Sequence, residues 1–248
     1  MLRFFQNPQE VSIFAKKYKL RLKQEGEGMI LNNFDTNKMF DYENGYYATA
    51  TEARFGKFIA HYELYKKIVN LPGAVIECGL FKGNSFFRLA HFRDLLESRY
   101  SRKLIGFDIF GAFPKTDFEN DKKYLDDFTN SAGENSIELD EINKIMEHKK
   151  LVNYEFVKGD INKTIPEYCK NNEHLKVALL HIDTDVYEPA VTILENMYDR
   201  VVKGGVIMFD DYGTFPGETK AVDEFFANKG LTVQKLSISH IPSFIIKK

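Results

Sequence analysis

The chain has 248 residues and a mass of 28.8 kDa, room for one large α/β domain or two small ones. Hydrophobic residues make up 44% and charged residues 28%, which argues against a disordered, collagenous or coiled-coil chain. Lys plus Arg total 34 against 36 Asp plus Glu, so a net charge of −2 offers no broad positive field for nucleic acid. Apolar runs such as VALL (177–180) and GGVIMF (204–209) are too short to cross a membrane. The first residues, MLRFFQNPQE, lack the apolar stretch of a secretion signal. Cys78 and Cys169 form neither a disulfide framework nor a metal cluster, and a reducing, cytoplasmic home is expected.

In chain order, VSIFAKKYKLRLKQ (11–24) reads as an amphipathic helix and NNFDTNKMFDYENGYY (32–47) as a loop rich in turn residues. TEARFGKFIAHYELYKKIVN (51–70) carries Phe55, Phe58, Ile59, Tyr62, Leu64, Tyr65 and Ile68 near helical spacing, and Pro72-Gly73 ends it. AVIEC (74–78) is a buried strand, Ser85 to Glu97 a helix, and KLIGFD (103–108) a second strand. Residues 114–150 are charged and strandless: an insertion or lid, with a helix at 136–150. YEFVK (154–158) is a third strand, 163–172 a short helix or turn, and VALLHI (177–182) a fourth strand. A helix at 188–201, a strand at 204–209 and a helix at 218–230 follow. LTVQKLS (231–237) and IPSFIIKK (241–248) pair at the end, too closely joined for a parallel crossover. Strands alternating with helices, the short ones apolar throughout, imply a wound, mostly parallel α/β sheet with an antiparallel C-terminal pair. Residues 1–70 are expected to form a helical and loop cap on a domain spanning 71–248.

Chemistry-bearing residues fall at strand ends, where wound sheets bind their ligands. In AVIECGLFKGNS (74–85), Glu77 ends a strand, Gly79 and Gly83 open a turn, and Ser85 is placed to cap a helix. This lacks both G-x-G-x-x-G and the P-loop, and Glu77 suits an ammonium group better than a pyrophosphate. Asp108, at the end of the second strand, can accept two ribose hydroxyls or cap its turn. Asp160, after the third, can meet an adenine amino group or cap its turn. Asp183 and Asp185 follow one strand, Asp210 and Asp211 the next. Carboxylates crowded on one rim resist joint ionisation without a cation, so a hard divalent ion is expected: magnesium best, manganese or calcium next. Asp185 is expected to cap a turn instead, and His181 to be a packed core histidine.

The ordered set E-C-G-x-x-x-G-x-S, strand-end Asp108, L-H-I-D-T-D-x-Y-E and G-G-x-x-x-x-D-D-Y-G resembles the macrocin-type (TylF/MycF) O-methyltransferases over roughly residues 45–230. The layout is more remotely similar to catechol O-methyltransferase. The resemblance implies a Rossmann-like, seven-stranded sheet whose last strand is antiparallel. It also implies an S-adenosylmethionine- and magnesium-dependent methyl transfer to a sugar, sugar nucleotide, phosphorylated metabolite or similar small polar acceptor, as in natural-product and surface-glycan pathways. By position, Glu77, Gly79, Gly83 and Ser85 would surround the methionine moiety and Asp108 would hold the ribose. Asp183, Asp210 and Asp211 would bind the metal, with Asp183 also the general base. The lysine base of the catechol enzymes is replaced by Val186, and 114–150 departs from the family pattern. Rival readings are an N-methyltransferase of a small metabolite, a metal-dependent phosphoester hydrolase and a nicotinamide-dependent oxidoreductase, the last opposed by the missing fingerprint. The sequence leaves the acceptor and the oligomeric state open, a homo-oligomer included.

Overall fold

The computed structural model describes residues 30–31 and 34–248; the helix expected at 11–24 lies outside them. The chain divides into two compact units at Thr49–Ala50, not at residue 70. In the first unit, strands β1 (Ile30–Leu31) and β2 (Phe34–Asp35) pair antiparallel. A 3-10 turn then leads into helix α1 (Met39–Thr49), where a loop was expected. The turn residues act at its start: Asp35 caps the 3-10 turn by accepting from the Asn37 amide, and Gly45 is absorbed inside the helix.

The second unit opens with helix α2 (Glu52–Lys66). Its buried face is Gly56, Ala60, His61, Leu64 and Tyr65, while Phe58 and Ile59 stay 43% and 44% exposed. A Cβ on Gly56 would lie 2.6 Å from the Ile238 carbonyl oxygen. That close approach sets α2 against the C-terminal strands, which is why it belongs to the sheet domain rather than to a cap.

Seven strands follow: β3 (Ala74–Cys78), β4 (Leu104–Asp108), β5 (Tyr154–Lys158), β6 (Val177–Ile182), β7 (Val201–Phe209), β8 (Gln234–Leu236) and β9 (Ser239–Ile246). Their order is β5-β4-β3-β6-β7-β9-β8. β3 to β7 are mutually parallel, and β9 runs antiparallel to both β7 and β8. The expected wound sheet with a terminal antiparallel pair is therefore present.

The intervening helices are α3 (Asn84–Leu96), α4 (Glu119–Ala132), α5 (Leu139–His148), α6 (Ile161–Asn171), α7 (Tyr187–Met197) and α8 (Pro216–Phe226). Alternation along each strand splits the core. Ile76, Cys78, Leu180, Ile182, Ile207 and Phe209 pack with residues of α6, α7 and α8. Val75, Leu179, Val206 and Met208 pack with residues of α2, α3 and α5. The 114–150 segment holds two helices, of which only the second was expected. Its α4 is pinned by the buried Asp121, which accepts from the amides of Tyr187 and Gly217 at 2.9 and 2.7 Å. These amides open α7 and α8, where a carboxylate meets free N–H groups and the positive end of the helix dipole. No helix among the described residues is long and apolar enough to cross a membrane.

Candidate active site

Register brings the strand ends together. Cys78 pairs with Ile182, and Ile182 with Phe209, so the next residues, Gly79, Asp183 and Asp210, share one rim. Gly79 has φ +85°, and a Cβ there would lie 1.8 Å from the Asp183 carbonyl oxygen. Only glycine lets these two backbones touch.

Glu77 and His181 sit opposite each other in the register, both fully buried. The Ser85 hydroxyl donates to Glu77 Oε1 at 2.5 Å, and Glu77 Oε2 has no partner. Ser85 therefore orients Glu77 instead of capping α3, whose N-cap is Gly83 in the left-handed region. Asp108 has two oxygens and four protein donors: Leu80 N, Phe81 N, Phe110 N and Ser136 Oγ, at 2.6–3.2 Å. That fills a carboxylate's lone-pair capacity. A ribose would have to displace one of them, so in this structure Asp108 braces the turn. It also holds Phe81 and Phe110 at φ of 47° and 48°, a strain that persists only where surrounding contacts enforce it. Asp160 stands apart on the rim; its half-exposed carboxylate caps α6 through the Asn162 amide at 3.0 Å.

The acids after β6 and β7 converge. Oxygens of Asp183, Asp210 and Asp211 lie within 4.8 Å of one another. Asp185 is not a turn cap: it is buried at φ +62°, crowded by the charges of Asp183 and Glu218. Glu218, fully buried in the first turn of α8, accepts from the Asp211 amide at 2.9 Å. Burial and then mutual repulsion push Asp185, Asp211 and Glu218 well above the usual carboxylate range. The same two causes raise Asp183 to about 7.

Three basic groups face these acids, and sequence reasoning missed their role. Lys57 of α2 pairs with Asp210 Oδ2. His181 Nε2 lies 3.4 Å from Asp210 Oδ1 and 4.0 Å from Asp183 Oδ2, and Nδ1 lies 3.8 Å from Glu77 Oε1. Burial opposes charging His181, but Asp210 and Glu77 outweigh it and raise the ring to about 10. It is buried as expected, yet at the hub of the site. His61 stacks edge-on to it at 5.2 Å, and burial lowers His61 to about 3. The sequence signal was Lys57 and His61 at i, i+4, a polar pair on a helix otherwise read for its apolar stripe. Asp210, against the cost of burial, is held well below the usual range by Lys57 and His181.

Does the rim fit a metal? Three groups of side chains bring ligand atoms within 4.8 Å of one another: His61, His181 and Asp210; Glu77, His181 and Asp183; and Asp183, Asp210 and Asp211, of which only the last is all oxygen. Asp211 Oδ2 is buried without a partner, and Asp183 alone of the three is a quarter exposed, at 24%. Hard oxygen donors with surplus negative charge fit a hard divalent cation.

A family model, the macrocin-O-methyltransferase (TylF) family, matches residues 47–245. The chain belongs to that family. It is 25% identical over 176 residues to demethyldecarbamoylnovobiocin O-methyltransferase of Streptomyces niveus, covering 68% of this chain and 64% of that one. The chain thus spans slightly less than two thirds of the length of this curated relative. Among solved structures it is similar to CalS11, a calicheamicin methyltransferase, with TM-score 0.69 and 21% identity over 98% of this chain and 94% of that one. CalS11 is also described as a TDP-rhamnose 3'-O-methyltransferase. The O-methyltransferase NovP gives TM-score 0.67 and 20% identity over 78% and 80%. The fold is that of the class I methyltransferases.

Proposed function

We propose that this chain is an S-adenosylmethionine- and divalent-cation-dependent O-methyltransferase acting on a sugar, sugar nucleotide or similar small polar acceptor. One observation carries the reading: a surplus of carboxylates at Asp183, Asp210 and Asp211 stands beside a glycine turn whose backbone touches Asp183. The family match supports methyl transfer. The sugar-nucleotide acceptor of CalS11 supports the acceptor class.

S-adenosylmethionine supplies, when bound, a methyl group on a sulfonium leaving group. A divalent ion, when bound, lowers the pKa of an acceptor hydroxyl. The chain's residues do the rest. Glu77, oriented by Ser85, offers its unpartnered Oε2 to the donor's ammonium. Gly79 and Gly83 let the donor approach the backbone, and Asp108 fixes the shape of that turn through Leu80 and Phe81. Asp160 stands where an adenine amino group can share its carboxylate with the α6 cap. Asp210 and Asp211, with Asp183, would hold the cation. Asp183, the most open of the three, accepts the hydroxyl proton. Holding acceptor oxygen, carbon and sulfur in line is positioning chemistry.

Isothermal titration with S-adenosylmethionine tests the donor half: affinity of tens of micromolar or better is expected, about 6 kcal/mol of binding free energy or more. Asp183→Ala and Asp210→Ala should lose turnover and keep that binding. Turnover by both variants in EDTA would overturn the metal role. Methylation of an amine acceptor with no metal dependence would favour the N-methyltransferase alternative.

A further inference from the structure

A cation already stands among these carboxylates. Lys57 reaches from α2 to Asp210 Oδ2, and its side chain is 23% exposed. Burial acts to discharge the ammonium, but Asp210, Asp183 and Asp211 together outweigh it and keep it protonated. Asp210 Oδ1 faces His181, so neither oxygen of Asp210 is free. Among the described residues no other lysine or arginine ion-pairs with the three carboxylates. Asp211 Oδ2 meanwhile has no partner.

We propose that Lys57 is a tethered counter-ion of the cluster, and that a divalent cation enters by exchange, the ammonium leaving Asp210 Oδ2 as the ion arrives. This rests on the divalent-cation reading above. Lys57 and His181 face Asp183, Asp210 and Asp211, but buried Glu77, Asp185 and Glu218 crowd the same rim and acids stay in excess, so an ion carrying two charges gains by replacing the single charge of Lys57. A monovalent ion would swap one unit charge for another and lose the advantage of the tether, which makes the exchange selective for divalent ions. The four-carbon lysine stem allows the withdrawal, as a compact charge on a flexible chain. Repulsion between the resident ammonium and an incoming ion, in a half-buried site with low effective dielectric, weakens ion binding in the native chain.

Manganese(II) alone is the probe, followed by electron paramagnetic resonance in the full chain without cofactor. Lys57→Met keeps the stem and removes the charge; it should bind Mn(II) at least tenfold more tightly than wild type. Lys57→Arg, which keeps the charge, should bind no more tightly. In the wild-type protein, reductive methylation read by mass spectrometry should label Lys57 several-fold faster once Mn(II) is added, and this decides the matter if Lys57→Met does not fold. Equal or weaker Mn(II) binding by folded Lys57→Met overturns the proposal, as does labelling of Lys57 that does not rise. No Mn(II) binding by any of the three proteins, with S-adenosylmethionine still bound, sinks the divalent-cation reading and the exchange with it.

Discussion

Two buried charged clusters stand in the sheet domain, and they are built on opposite plans. Beside the loop that enters β3, the guanidinium of Arg102 meets both oxygens of Glu97 at 2.8–3.0 Å and the carbonyls of Ile68, Leu71 and Gly73 at 3.0–3.1 Å. Tyr65 adds its hydroxyl to Glu97. On the opposite rim, acids outnumber bases. Six of the seven buried side-chain atoms without a hydrogen-bond partner, among the described residues, lie there: His61 Nε2, Glu77 Oε2, His181 Nδ1, Thr184 Oγ1, Asp211 Oδ2 and Glu218 Oε2. The seventh, Arg93 Nη2, is 3.0 Å from Asp94 Oδ1 in an ion pair. A saturated cluster closes a fold; buried groups left wanting partners mark where a ligand completes it.

Substitutions can break this contrast, and denaturant unfolding together with turnover per folded molecule reads both sides of it. Glu97→Gln strands the buried Arg102 charge and should cost the most, about 3–5 kcal/mol, with turnover unchanged. Gly79→Ala forces a side chain into a left-handed residue 1.8 Å from the Asp183 oxygen. It should cost roughly 2–4 kcal/mol and abolish turnover as well, because the rim itself is displaced. Asp121→Ala frees two helix-opening amides and should cost about 1–3 kcal/mol. Faster hydrogen exchange at Tyr187 would confirm that α4 had been released. Asp160→Ala removes a cap and should cost about 1 kcal/mol; a loss of cofactor affinity beyond that factor would point to the adenine contact. Asp211→Asn should change stability least, within about 0.5 kcal/mol or slightly upward, since it relieves crowding among acids. Turnover should nevertheless fall at least about 100-fold. A large loss of stability with turnover kept would show that the two clusters are alike after all.

The sheet was legible because its strands are short apolar runs that need no partner information to recognise, and their ends placed Asp183, Asp210 and Asp211 on one rim. What could not be read was whatever depends on a side chain reaching across from another element. Lys57 and His61 lie more than a hundred positions before Asp210 in the chain, on a helix whose apolar residues drew the eye to Phe58 and Ile59, which remain exposed. Glu218 looked like one more acid in an amphipathic helix, and only packing shows it beneath Asp211. Helix α1 was missed for a local reason: Asn, Asp and Gly mark turns, but here Asp35 starts a helix instead of ending one. Propensity logic assigns capping to Ser85 and Asp185, but the Ser85 contact with Glu77 and the burial of Asp185 among other acids override it.

The contact between Gly79 and the Asp183 carbonyl fuses two loops from neighbouring strands into one mechanical piece. Neither can slide without carrying the other. The gap between whatever rests on the first loop and whatever is gripped by the second is thus a property of the main chain, indifferent to most side-chain changes around it. Such a frame lets side chains around it change while the spacing between the two loops stays as it was.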